Sequence, residues 1–338
     1  MSKNVNTPML EWDQLRDTDC KILVGLSGGK DSIATCEWFL RNGIAPERIH
    51  LHHHLIDGIT TPLNGWDWPV TEAYCKAYAD LRGIKLFFSA REGGITREIY
   101  RMNEGLQDIM YQEVPGGEFH RKHSRFAANK IRYKFPAIQQ NLSKRWCSST
   151  VKIDVMDRII PLLYKNETII VATGERREES AGRAKYLRWE RHRTHTKSRI
   201  AYHFRPIIDF IESEVWTMLK YGNIQPHPAY MIGWSRCSCA TCIFSSKDHW
   251  STLNVICPEK IDAIEEIENR TSHMLHHGKS IREVVASGNN FFNKGNYMNM
   301  YWKDQLLSEN WYSGIETKPG LWQLPVGAFL GGESCGAG

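Results

Sequence analysis

Lys21-Ile22-Leu23-Val24-Gly25-Leu26-Ser27-Gly28-Gly29-Lys30-Asp31-Ser32 is the stretch from which the fold is read. Ile22, Leu23 and Val24 form a short apolar run, which predicts a buried strand over residues 21–26, ended by glycines. From Asp31 the apolar positions fall at helical spacing (Ile33, Cys36, Trp38, Phe39 and Leu40) until Asn42-Gly43 ends the pattern. The glycines at the junction let the backbone turn, and approach a ligand, without a Cβ clash. The helix behind them directs unpaired N–H groups and the positive end of its dipole at the same loop. Lys30 adds a full charge, and Ser27 and Ser32 offer hydroxyl donors. Asp31 can orient the loop, bind Mg²⁺ or cap the helix. A phosphate site is therefore expected at the first strand–helix junction, where such sites belong. The loop matches neither the Walker A pattern nor G-x-G-x-x-G.

Outward from this loop, strands and helices alternate. Strands are predicted over residues 48–56, 84–88, 168–172 and 199–204. Helices are predicted over residues 70–82, 151–164 and 211–221, the first and last stopped by Gly83 and by Gly222-Asn223. This order predicts an α/β fold with a doubly wound, parallel, five-stranded sheet over residues 1–225. Residues 226–338 read as a cysteine-containing, mainly helical C-terminal region packed on it, with helices near 259–268 and 280–286. From about residue 289 no period is evident.

The bulk composition is that of a soluble globular chain: 338 residues, 41% apolar and 24% charged. No apolar run approaches a membrane span, and residues 1–10 lack a charged-then-apolar signal, so the reading is cytoplasmic with no membrane partner. A net charge of +5 is too mild to imply a nucleic-acid partner by itself. Residues 174–205, however, hold ten Lys or Arg against four Glu, which reads equally as a phosphate-attracting field or a solvated face. A basic, aromatic stretch (Arg121, Lys122, Arg125, Lys130, Arg132, Tyr133, Lys134, Phe135) is compatible with a polynucleotide.

Nine cysteines, an odd number, argue against a disulfide framework. Cys20, Cys36, Cys75, Cys257 and Cys335 are scattered, and Cys36 and Cys75 read as small core residues. Cys237, Cys239 and Cys242 put three thiols in six residues, a soft-metal donor set. His50, His52 and His54 share one face of a strand and His53 the other; they read as a hydrogen-bonded edge rather than a metal centre. Asp57, just after that strand, is a candidate contact for adenosine or Mg²⁺.

Ser27-Gly28-Gly29-Lys30-Asp31-Ser32 matches the PP-loop signature S-G-G-x-D-S, and the chain resembles the phosphoadenosine phosphosulfate (PAPS) reductase family of the PP-loop fold. Four further segments carry the likeness. They are residues 146–152 (WCSSTVK), residues 174–180 (GERREES) with Arg183, residues 205–209 (RPIID) with Val215-Trp216, and residues 227–230 (HPAY) followed by Gly233, Ser235, Arg236, Cys239 and Cys242. Together they span about residues 20–245.

The resemblance implies nucleotide binding by Ser27, Gly28, Gly29, Lys30, Asp31 and Ser32, with Gly174, Arg177 and Arg183 from the arginine loop. Catalytic roles fall to Lys30, Asp31 and Arg176. In the family's iron–sulfur members a Cys-Cys pair precedes a distant C-x-x-C. Here Ser148 replaces the second cysteine of the pair, and Cys237 stands in for the missing thiolate. A [4Fe–4S] cluster on Cys147, Cys237, Cys239 and Cys242 is expected, with zinc as the alternative and a redox C-x-x-C third.

Reductases of the family often lack a Lys-Asp pair in the loop, because they do not split ATP. Lys30-Asp31 therefore favours a PP-loop ATP pyrophosphatase, which uses ATP and Mg²⁺ to adenylate a substrate for sulfur transfer. Its acceptor could be a nucleic acid, its sulfur donor a protein, and its assembly a homodimer. The alternatives are a phosphosulfate reductase that releases sulfite, and a non-catalytic, nucleotide-regulated nucleic-acid-binding module. The segment Glu333-Ser334-Cys335-Gly336 only faintly resembles the reductases' terminal motif and is read as without a role.

Overall fold

Side chains along a strand alternate between two faces, so a strand as apolar as Ile22-Leu23-Val24 needs cover on both sides. The computed structural model describes residues 9–60, 62–124, 131–139, 141 and 143–330. The strands are β1 (Lys21–Gly25), β2 (Ile49–Leu55), β3 (Lys85–Arg91), β4 (Ile109–Gln112), β5 (Phe119–Lys122), β6 (Thr168–Ala172), β7 (Trp189–Arg191) and β8 (Ile200–Phe204). The helices of the first half are α1 (Trp12–Leu15), α2 (Lys30–Arg41), α3 (Thr71–Arg82), α4 (Gly94–Ile99), α5 (Trp146–Ser148) and α6 (Asp154–Leu163). Those of the second are α7 (Glu212–Tyr221), α8 (Pro228–Met231), α9 (Lys247–Ile256), α10 (Pro258–Thr271), α11 (Ile281–Ser287) and α12 (Tyr297–Leu306). Among the described residues no helix is long and apolar enough to cross a membrane.

The strands form one eight-stranded sheet in the order β5-β4-β3-β2-β1-β6-β8-β7. Its centre, β3-β2-β1-β6-β8, is parallel and consists of the five strands expected from sequence. The five-strand count is corrected by three short antiparallel strands at the edges. β4 and β5 form a hairpin whose loop contains Pro115-Gly116-Gly117, with Gly116 at φ +69°. β7 has three residues, too few to show a period.

Val24 of β1 pairs with Leu51 on one side and Ala172 of β6 on the other. The chain leaves β1 toward β2 and β3, and later returns on the far side through β6 and β8. The strand order thus reverses between β1 and β6, which opens a crevice at their carboxyl ends.

Ile22 and Val24 pack with Ile33 and Phe39 of α2, Tyr74 and Tyr78 of α3, and Trp216 of α7. Leu23 faces the other way, toward Val155 and Ile159 of α6. A further apolar cluster lies among α9 to α12 (Trp250, Ile261, Ile281, Trp302) and also takes in Ile56, Trp66, Trp68 and Val151. The C-terminal region therefore shares its core with segments from both sides of residue 225. α12 lies in the stretch that carries no sequence period; Asn296 caps it by accepting from the N–H groups of Met298 and Asn299.

The helices over one face are pinned by a buried carboxylate. Glu37 of α2 accepts from Tyr78 Oη at 2.8 Å and from Arg82 Nε at 2.8 Å. Arg82 Nη2 also donates to the Gly222 carbonyl at the end of α7, at 2.8 Å. Glu37→Ala leaves the phenol and guanidinium without that acceptor. A loss of about 3 kcal/mol is expected in urea unfolding.

Candidate functional site

The turn after β1 needs its glycines for geometric reasons. Gly28 sits at φ +76°, which disfavours any side chain. Ser32 Oγ donates to the Gly29 carbonyl at 2.8 Å, and the Gly29 N–H donates to Ser27 Oγ at 3.3 Å. These bonds close the loop over the first turn of α2. In front of it lies a cavity of about 240 Å³, lined by Ser27, Gly29, Lys30, Asp31 and Ser32 from this side and by Thr173, Gly174, Glu175, Glu179 and Arg183 from beyond β6.

Asp31 organises this cavity. Lys30 Nζ lies 3.1 Å from Asp31 Oδ2, and Arg176 Nε donates to Asp31 Oδ1 at 2.7 Å. Both cations are buried, at 2% and 0% exposure. Lys30 Nζ also lies 4.0 Å from Glu212 Oε1 of α7, and 5.9 Å from the Trp216 ring centre. Burial alone would push the Asp31 carboxyl up, but the two cations hold it below its ordinary value, so it is ionised at neutral pH.

Arg176 is not among the residues that line the cavity. Its guanidinium donates to Asp31, Glu178 and the Phe210 carbonyl, so it meets the cavity through Asp31. Arg177 is turned away, onto Asp209 and the Tyr186 carbonyl. Arg183 does reach the cavity, paired with Glu179. Asp57 is engaged elsewhere, accepting from the Trp66 and Asp67 N–H groups at 2.8 and 2.9 Å. Burial raises its pKa to about 6 against the pull of those two bonds.

The basic run is largely an ion-pair lattice: Arg188 pairs with Asp209, Arg193 with Asp157, and Arg205 with Glu175 and Glu190. In the basic, aromatic stretch, Arg121, Arg132 and Phe135 are likewise engaged. Arg121 pairs with Glu92, Arg132 lies on the Trp146 ring at 4.1 Å, and Phe135 is buried. Arg125, Lys130 and Cys335 lie outside the described residues.

The histidine row is internal. His50 Nδ1 and His52 Nε2 both bond Tyr164 Oη, at 2.9 and 2.8 Å, and His54 Nδ1 bonds Ser89 Oγ at 2.8 Å. Burial lowers the pKa of His50 to about 4 and that of His54 to about 3, so both are neutral.

Residues 21–245 match the phosphoadenosine phosphosulfate reductase domain. The chain belongs to the PAPS reductase family. It is also similar to a protein of Escherichia phage 186 described as an uncharacterized 37.8 kDa protein, at 26% identity over 276 residues, covering 76% of this chain and 77% of that one. As a PAPS reductase family member, the chain is a nucleotide-binding, sulfur-related enzyme of the adenine nucleotide alpha-hydrolase kind.

The family match ends just beyond the thiols. Cys147, Cys239 and Cys242 line a second cavity, of about 160 Å³, together with Arg145 and Lys152. A π-helical turn, Ser149–Ile153, between α5 and α6 carries Lys152. Cys239 first, then burial opposing, then Asp67 and the other thiols set the balance that raises the Lys152 pKa, so it is an ammonium. Burial pushes the Cys147 and Cys239 thiols up. Cys237 lines the phosphate cavity instead, so the expected four-cysteine set is not gathered in one cavity. Among the described residues no group of three or more His, Cys, Asp or Glu closes on a single metal position. Arg183 and Arg236 line both cavities and join them.

Thr173, Glu175, Glu179, Tyr230 and Arg236 also line the phosphate cavity, and sequence reasoning gave them no role there. Tyr230 and Arg236 stand in a segment already matched to the family, which was the available signal. Gly174 is where β6 meets α2: a Cβ there would lie 2.6 Å from the Asp31 carbonyl. Gly174→Ala is therefore expected to cost about 1–3 kcal/mol in thermal unfolding.

Proposed function

We propose that the chain binds ATP with Mg²⁺ in the phosphate cavity and cleaves it between the α- and β-phosphates, giving AMP and pyrophosphate. An acceptor oxygen attacks the α-phosphorus and expels pyrophosphate, and sulfur from a donor protein then displaces AMP from the adenylated acceptor. The observation that carries this reading is the ionised Asp31, with 25% of its side chain exposed at a cavity meant for polyphosphate. Its charge is shared with Lys30 and Arg176, and its exposed edge faces the cavity, where Mg²⁺, usually held by one or two carboxylates plus substrate phosphates, would bridge it to a polyphosphate.

In this reading the loop amides, Ser27 and Ser32 hold the departing pyrophosphate, and Asp31 holds the metal. Lys30 and Arg176 keep Asp31 charged and oriented, and the Lys30 ammonium adds field from beneath the loop. Arg183 and Arg236 lie between the nucleotide and the thiols, where charge on an adenylated acceptor needs balancing.

Cys147, Cys239 and Cys242 bring three thiols to one cavity, one short of the four that a [4Fe–4S] group or a closed zinc site takes. A [4Fe–4S] group held there by Cys147, Cys239 and Cys242 would supply electron transfer. The location consistent with this chemistry is the cytoplasm.

Product analysis with purified protein tests the reading. ATP and Mg²⁺ should yield AMP and pyrophosphate, with a fall of about 10²-fold for Asp31→Asn. Sulfite release from a phosphosulfate nucleotide, with ATP inert, overturns it. Under anaerobic purification, iron and sulfide content is expected to be lost in Cys239→Ser and kept in Cys237→Ser. Stoichiometric zinc in a colourless protein removes the cluster.

A further inference from the structure

Tyr230 belongs to α8, some 200 residues from the phosphate loop in sequence, yet its hydroxyl is part of that loop's surface. The Lys30 N–H, the first amide of α2, donates to Tyr230 Oη at 3.1 Å. A side chain at Gly29 would stand 3.5 Å from the same oxygen. The ring is 2% exposed and packs edge-on against Trp216, with centroids 5.0 Å apart. The oxygen thus accepts from the loop, and no acceptor for its own proton is found among the described residues. A buried hydroxyl with an unused donor is costly unless something completes it. The phosphate cavity, which Tyr230 lines, is where that acceptor would come from.

The phenol suits the task. A hydroxyl that accepts from one donor becomes a better donor itself, because consecutive hydrogen bonds polarise one another. Here the first donor also lies at the positive end of a twelve-residue helix. Burial pushes the phenol above its ordinary pKa, so the proton stays on at neutral pH.

We propose that Tyr230 is a phosphate-binding residue: it takes the first amide of α2 and passes a hydrogen bond on to a phosphate oxygen of the bound nucleotide. This rests on reading the cavity as a polyphosphate site. The segment that leads into Cys237 and Cys239 then senses directly whether the loop is occupied.

Calorimetric titration with inorganic pyrophosphate, and with ATP plus Mg²⁺, tests this. Wild type is expected to bind both. Tyr230→Phe keeps the ring against Trp216 and is expected to bind about tenfold more weakly, the loss typical of one hydrogen bond to a charged group. Equal affinity in Tyr230→Phe overturns the proposal and leaves Tyr230 a packing residue. No binding by wild type overturns the polyphosphate reading along with it. Site-specific 3,5-difluorotyrosine at position 230 keeps ring and hydroxyl but makes the phenol a stronger hydrogen-bond donor. Pyrophosphate is then expected to bind more tightly than to wild type at neutral pH; unchanged or weaker binding counts against the proposal, since packing alone gives no such gain.

Discussion

One carboxylate between two buried cations holds this molecule's site together. Asp31 gives one oxygen to Lys30 and the other to Arg176, at 3.1 and 2.7 Å. Lys30 is backed by Glu212 and Trp216 of α7, and Arg176 by Glu178 and the Phe210 carbonyl. The first turn of α2, the start of α7 and the loop after β6 are thus fixed to one another through a single side chain. Isolated, either cation would be too costly to bury. Paired, they fix the geometry of the phosphate loop and keep its carboxylate ionised.

That arrangement redistributes the roles a sequence pattern assigns. Lysine and arginine in a phosphate-binding motif read as direct ligands, because they are cations. Here Arg176 acts at one remove, and the groups that face the cavity are amides, hydroxyls, Lys30, Arg183, Arg236 and carboxylates. A cavity of mixed sign is an inefficient trap for a bare anion but a fitting one for a metal-bound anion, whose charge is partly neutralised before it arrives.

The central sheet was legible because its signals are local. Ile22-Leu23-Val24 between polar flanks, the glycine turn, and the stops at Gly43 and Gly83 each act within a few residues, and the five parallel strands follow from them. What escaped depends on contacts distant in sequence. β4 and β5 are four residues each; β4 exists by pairing on the edge of β3, and β5 by pairing on β4. α12 carries no clean apolar stripe, and its Trp302 and Leu306 are buried by neighbours from other helices. In the site, the loop was readable and its supports were not. Arg177 was indistinguishable from Arg183 in a row of alternating charge, since only the fold decides which side chain turns inward. Asp57 follows the second strand, as a nucleotide contact might, yet its oxygens are used by the Trp66 and Asp67 amides.

The cysteine segment shows the same dependence in sharper form. Spacing alone groups Cys237 with Cys239 and Cys242, since three thiols within six residues look like one donor set. The chain here is irregular, however, and its path past the loop sends Cys237 to the phosphate cavity while Cys239 and Cys242 turn to the other. The Cys237 carbonyl would lie 3.2 Å from a Cβ at Gly29, so this stretch of backbone is a wall of the loop itself. The same segment is thus the wall of one cavity and the thiol lining of the next, and Arg183 and Arg236, which line both, join the two through packed side chains.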